Sequence, residues 1–157
     1  TVAIDTRPPG DHADTLDITT SVAASIASSV LAAGDATMVE TTDGRSTPMV
    51  HGNAQLDQVL EFLALLDGGS PTIHPAVPTE AGTVVVVSAD PTLATDHEAR
   101  MVFAQRLRAR VVVTCATDGW GDADAGSSTG DWIHLTGPGQ LADLWTLDQR
   151  VAAVGGR

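Results

Sequence analysis

The chain has 157 residues, with 20 acidic against 8 basic side chains and a formal net charge of −12 at pH 7. Its hydrophobic fraction of 43% indicates a folded chain rather than a disordered one, and the length suits a single domain over 1–157. All basic residues are arginines. Without lysine, a Walker A loop, a protein-kinase site or a Schiff-base enzyme is impossible. The acidic balance argues against nucleic acid as a partner.

The first half of the chain predicts strands and helices in alternation. A strand ends at the acidic residue Asp5, and a helix with apolar residues at four-residue steps ends before Gly34. The dipeptide Asp43-Gly44 predicts the turn of a β-hairpin. A further helix is capped by Asn53. These elements are strands over 2–5, 36–42 and 47–51, and helices over 15–33 and 53–67.

Two unbroken β-branched runs dominate the second half, and such runs are typical of parallel strands buried on both faces. Thr95 and Glu98 form a capping box at the start of a helix. The segment 118–131, rich in glycine, serine and aspartate, predicts a loop. The elements are strands over 83–88, 111–115 and 132–135, the last at a sheet edge, and helices over 95–107 and from about 141.

This alternation predicts an α/β three-layer sandwich with a mostly parallel central sheet and one antiparallel hairpin strand. Ligands of such sheets bind beyond the carboxyl ends of the parallel strands. Here those ends carry Asp5, Thr6 and Arg7 after the first strand and Asp90 after a later one. The loop with Thr72 can reach the same edge.

The only cysteine, Cys115, excludes an internal disulfide and lies in an apolar run that predicts a buried, unreactive thiol. We see no apolar run long enough to span a membrane and no signal peptide. Because the sequence opens inside a strand without an initiator Met, we expect a fragment of a longer parent chain.

The order of these elements resembles a von Willebrand factor A-like domain, on residues 2–6, the hairpin at Asp43-Gly44 and residues 84–90. More narrowly, residues 22–27 and 56–61 resemble the C-terminal part of the bacterial domain-of-unknown-function family 58. The resemblance implies a Rossmann-like fold and a membrane-anchored parent with this domain on the cytoplasmic side. It also implies a non-enzymatic interaction module whose partner is a MoxR-type AAA+ ATPase, an envelope protein or the rest of the parent chain.

The resemblance also implies a place for a metal, the metal-ion-dependent adhesion site. That site needs Asp-x-Ser-x-Ser, a later Thr and a later Asp, because Mg²⁺ prefers hard oxygen ligands. Asp5 matches, and Thr72 and Asp90 are candidates for the later ligands, but Arg7 and Pro9 replace the serines. We therefore expect a degenerate site that holds no metal or cofactor. Arg7 either neutralises the carboxylates or points to solvent.

Two other functions stay open on the same residues. One is a divalent-metal- or small-ligand-binding domain that uses Asp5, Thr72 and Asp90, and the other is a hydrolase of unknown type. Trp120, surrounded by glycine and aspartate, is either an exposed contact to a protein partner or a side chain folded back onto the domain.

Overall fold

The computed structural model describes residues 1–7, 15–68, 71–74, 82–116, 120, 126–129 and 131–145. Strands and helices alternate along these residues as the sequence predicts. The strands are β1 Val2–Ile4, β2 Ala36–Thr37, β3 Val39–Thr41, β4 Val50–His51, β5 Val85–Ser88, β6 Val111–Cys115, β7 Ser127–Thr129 and β8 Trp132–Leu135. The helices are α1 Thr15–Ala32, α2 Leu56–Ala64, α3 Pro91–Thr95, α4 His97–Leu107 and α5 over 140–145.

A six-stranded sheet with the order β3-β1-β5-β6-β8-β7 forms the centre of the molecule. Strands β3, β1, β5, β6 and β8 are parallel, and β7 runs antiparallel to β8 at one edge. The pair β2 and β4 forms a separate small antiparallel sheet. The predicted α/β class with a mostly parallel sheet is thus confirmed.

Helices cover both faces of this sheet because its inner strands are apolar on both sides. Along β1, Val2 and Ile4 belong to a core cluster with residues of α1 and α2, whereas Ala3 belongs to a second cluster with Phe103 and Leu107 of α4. This two-residue alternation follows from the pleat of a strand. Each fully buried large aliphatic side chain stabilises the fold by about 1.5–3 kcal/mol.

The chain order creates a switch point between β1 and β5. From β1 the chain passes through α1 to β3 on one side, and it later continues with β5 on the other side. The helices that follow the two strands lie on opposite faces of the sheet. At such a point the chain leaves a crevice at the carboxyl ends of the strands.

The predicted hairpin is correct in part. Residues 36–42 do not form one strand, because β2 ends at Thr37, β3 begins at Val39, and the carbonyl of Met38 between them accepts from Val2 N at 2.8 Å. Strand β2 pairs antiparallel with β4, whereas β3 joins the parallel sheet. At the predicted turn, Glu40 of β3 also forms an isolated antiparallel bridge with Ser46. The antiparallel strand of the main sheet is β7, which lies inside the predicted loop over 118–131. Strand β8 is therefore not at the edge.

Two predicted helix boundaries are wrong. Asp96, not Thr95, caps α4, since its carboxylate accepts from Glu98 N at 2.9 Å and Ala99 N at 3.1 Å. Residues Pro91–Thr95 form the separate helix α3. Helix α2 follows a single 3₁₀ turn over Asn53–Gln55 and has no side-chain cap at its start. It ends at Ala64, where the chain tightens into i to i+3 bonding before the predicted glycine stop.

Among the described residues, α1 is the one helix with the length and hydropathy to cross a membrane, which the sequence analysis did not anticipate. Its 18 residues have a mean hydropathy of 1.3, and 39% of them are buried inside the domain. Val22, Ile26 and Leu31 lie in the main core. Core helices of globular domains have the same properties, so this feature is weak evidence for a membrane span.

Cys115 is buried at the end of β6, as its apolar run predicts. Burial raises the pKa of its thiol to about 12, since the apolar surroundings disfavour the thiolate. The reactive thiolate form is accordingly scarce at neutral pH.

Candidate functional site

The first residues after β1 are fixed at the switch point by backbone hydrogen bonds. Asp5 N donates to Val87 O at 2.9 Å, which extends the pairing of β1 with β5 by one residue. Thr6 is held on the other side, where its N–H donates to Thr42 Oγ1 at 3.1 Å. The Asp5 side chain is only 4% exposed, so its carboxylate lies in the crevice with little access to water.

Arg7 binds the Asp5 carboxylate with both arms of its guanidinium. Nε donates to Asp5 Oδ1 at 2.8 Å and Nη2 donates to Asp5 Oδ2 at 2.6 Å. Nη2 also lies 3.4 Å from Asp90 Oδ2. The hydrogen bonds with Asp5, and then the charges of both carboxylates, raise the pKa of Arg7 above its usual value. The predicted proximity of these three residues is confirmed, and Arg7 contacts both carboxylates rather than pointing to solvent.

Ser88 connects the two carboxylates from the end of β5. Its fully buried hydroxyl donates to Asp5 Oδ2 at 2.7 Å and accepts from Asp90 N at 3.1 Å. Asp90 Oδ1 accepts from Thr92 N at 2.9 Å and caps α3. The position of Ser88 at a strand end is predicted by the sequence, but its contacts with Asp5 and Asp90 are not. The available signal was a hydroxyl at the end of a strand that is otherwise all valine.

Phe103 of α4 completes the support of Arg7 from the other layer of the fold. The guanidinium carbon lies 4.7 Å from the centroid of the Phe103 ring, which is within the range of a cation–π contact. Arg7 is therefore held by the ends of β1 and β5 and by a helix. No sequence pattern connects Arg7 with Phe103, since they are 96 positions apart.

The two remaining predicted residues lie differently. Thr72 is exposed, in the segment 71–74. That segment is tied to the same edge by His74 N, which donates to Thr42 O at 2.8 Å. Trp120 is half-buried and packs against the main core cluster. This position agrees with a Trp120 side chain that folds back onto the domain. A contact of Trp120 with a protein partner stays a prediction.

The site residues fit a metal poorly because their oxygens already have donors. Both oxygens of Asp5 bind Arg7, and the two oxygens of Asp90 face Thr92 N and Arg7. In the described part of the chain, no group of three or more His, Cys, Asp or Glu side chains is placed to hold a metal ion. Pro9 lies outside the described residues.

A second aspartate–arginine pair with the same spacing gives an internal comparison. Arg45 donates from Nε to Asp43 Oδ1 at 3.1 Å and from Nη2 to Asp43 Oδ2 at 2.9 Å. The side chain of Arg45 is 36% exposed, and that of Asp43 is 14% exposed. The same pair of hydrogen bonds is thus found in a more exposed place, after β3 rather than between β1 and β5.

No protein-family model, curated protein or solved structure matches this chain.

Replacing Arg7 by Gln should lower the free energy of unfolding by about 2 kcal/mol, because it leaves the buried Asp5 carboxylate without its cation. The loss is smaller than the roughly 3–5 kcal/mol of a fully buried pair, since a quarter of the Arg7 side chain is exposed, at 25%. Urea unfolding of the native chain and of Arg7→Gln at pH 7 measures this loss of free energy.

The matched control for this variant is Arg45→Gln, which breaks the more exposed fork and should cost about 0–1 kcal/mol. If Arg7→Gln and Arg45→Gln lower the free energy of unfolding equally, the larger contribution expected for Arg7 is contradicted.

Proposed function

We propose that this chain is a non-enzymatic protein-interaction domain of the von Willebrand A-like type, in which Arg7 takes the place of the divalent cation. The observation that carries the proposal is the double contact of the Arg7 guanidinium with Asp5 and Asp90 at the switch point. A positive group is present where a domain with a working adhesion site would hold its metal. Arg7 thereby retains the positive charge of the metal, but it lacks the open coordination position that a metal has.

The topology supports this interpretation. The crevice beyond β1 and β5 is where ligands of open parallel sheets bind. Here the Arg7 side chain lies at these strand ends against Phe103, and Ser88 binds the Asp5 carboxylate with which Arg7 is paired. A surface fixed in this way needs no ion to order it, so the domain would present one shape to a partner at all metal concentrations.

The geometry also favours a binding role over hydrolysis at this edge. The hydroxyl of Ser88 is fully buried and donates a hydrogen bond to the Asp5 carboxylate. Asp5 in turn is held by the guanidinium of Arg7. A nucleophile must reach its substrate, and a general base must be free to accept a proton. Neither condition is met by this pair.

The partner that the resemblance implies is a MoxR-type AAA+ ATPase, with envelope proteins or the rest of the parent chain as further partners. We propose that it contacts the exposed side of this edge, around Thr72, Arg7 and Asp90. The net charge of −12 favours a partner with a basic face.

Millimolar Mg²⁺ or EDTA should change the melting temperature of the native chain by no more than about 1 °C. A ligand at a hundredfold excess over its Kd would add roughly 2.7 kcal/mol, which moves the midpoint of a domain of this size by several degrees. The double variant Arg7→Ser with Pro9→Ser should gain Mg²⁺-dependent stability, because it restores two hydroxyls and removes the cation.

Arg45→Ser is the matched control, since it removes an arginine from a similar fork elsewhere and should gain no response to Mg²⁺. If the native chain itself melts several degrees higher in Mg²⁺, the proposal is wrong. A metal-binding domain that uses Asp5, Thr72 and Asp90 would then replace it.

A purified MoxR-type ATPase without nucleotide should bind the domain equally well in Mg²⁺ and in EDTA. Thr72→Arg, which adds bulk and charge at the edge, should weaken binding about tenfold, or roughly 1.4 kcal/mol. Gln58→Arg, with the same change at an exposed position of α2, should leave it unchanged. An absence of binding at about 100 µM protein, an affinity weaker than about 5.5 kcal/mol, would overturn the assignment of the partner. Isothermal titration calorimetry measures the Kd of the ATPase for the native chain and for each of the two variants.

A further inference from the structure

A cavity of about 240 Å³ lies beside α4, on the face of the helix that also includes His97, Arg100 and Met101. Arg108 and Arg110 line it where the chain turns from α4 into β6, and Trp132 lines it from β8. None of these residues belongs to the site at Asp5. The lining combines cationic side chains with the apolar surface of Met101 and of the indole.

Three arginines line this cavity among the described residues of a strongly acidic chain. Over the residues that the structure describes, none of Arg100, Arg108 and Arg110 forms a salt bridge, whereas Arg7 and Arg45 each bind two carboxylates. Among the described residues of the lining, Asp131 is the one acidic side chain, and it is exposed. The cavity is therefore a positive region on a molecule with a net charge of −12.

Arg100 is the most buried arginine of the lining, with only 9% of its surface exposed. Its guanidinium carbon lies 3.8 Å from the centroid of the Trp132 ring. Nη1 donates to Leu93 O at 2.6 Å and to Ala94 O at 3.4 Å, and Nη2 lies 3.5 Å from His97 Nδ1. Of the five N–H groups of a guanidinium, the Nε proton and one Nη2 proton thus have no acceptor among the described residues.

The neighbouring groups keep the charge of Arg100 in place without neutralising it. Trp132 Nε1 donates to Thr114 Oγ1 at 2.9 Å, and the same oxygen lies 2.9 Å from His134 Nδ1. This chain of contacts fixes the indole under the guanidinium. Burial lowers the pKa of His134, and the positive charge of Arg100 lowers it further. A buried cation without a counter-ion is costly, and a bound anion would remove that cost.

We propose that this cavity is a binding site for a small organic anion, with its acidic group at the arginines and a short apolar body against Met101 and Trp132. A carboxylate and a phosphate share the chemistry that arginine recognises. The volume of about 240 Å³ lies below the roughly 300–1,000 Å³ of sites for drug-sized ligands. The occupant is therefore a molecule of a few carbon atoms rather than a nucleotide.

The test is an NMR titration of the folded chain with butyrate, and separately with inorganic phosphate, at an ionic strength held constant with NaCl. The amide signals of α4 and of β8 should shift saturably for at least one probe, with a Kd of about 1 mM or tighter. The probe that binds better identifies the acidic group. Saturation by neither probe up to about 50 mM would overturn the proposal.

Variants distinguish the binding of an anion at a defined site from a general attraction of anions to arginine. Arg110→Gln and Arg108→Asn should each weaken binding about tenfold, the loss of one charge-assisted hydrogen bond. Asparagine is chosen at Arg108 because that residue has a φ of 55°, which asparagine tolerates. Both positions are exposed, so the fold should survive.

Arg106→Gln is the matched control, because Arg106 is exposed on the same helix but does not line the cavity. It should change the Kd by no more than about twofold, through screened charge alone. An equal loss in all three variants would show that only the net charge matters and would contradict a defined site.

Discussion

The buried carboxylate of Asp5 is the constraint on which the candidate site depends. A charged group that is 4% exposed must have a counter-charge and hydrogen bonds, because the loss of hydration is otherwise too costly. Arg7 supplies the charge, and Ser88 supplies a further hydrogen bond from the end of β5. Ser88 in turn orients Asp90, which caps α3. One ionic group thus links two strand ends and the helix that follows them.

Arginine is used in two opposite ways in this chain. At the carboxyl edge Arg7 is paired with two acidic side chains, so its charge is neutralised within the domain. Beside α4, Arg100 is buried on Trp132 without an acidic partner in the described residues. We interpret the first arrangement as structural and the second as a binding site. The residue type alone does not distinguish these two roles of arginine. The side chains that surround each guanidinium do.

The sequence predicted those features that follow from local pattern. The valine runs of β5 and β6 identified strands buried on both faces, and parallel strands bring their carboxyl ends together, so the proximity of Asp5, Arg7 and Asp90 followed. It could not predict contacts between residues far apart in the chain, such as that of Arg7 with Phe103. Strand β7 was missed because its Ser- and Gly-rich segment has weak strand propensity and is ordered by pairing with β8.

The most direct test of this account is a double-mutant cycle between Asp5 and Arg7. The free energy of unfolding is measured for the native chain, for Asp5→Asn, for Arg7→Gln and for the double variant. If the guanidinium serves as the cation of this crevice, the coupling energy should be about 1.5–3 kcal/mol, and the double variant should be more stable than the sum of the single losses implies. A coupling below about 0.5 kcal/mol, the level of independent sites, would contradict the account.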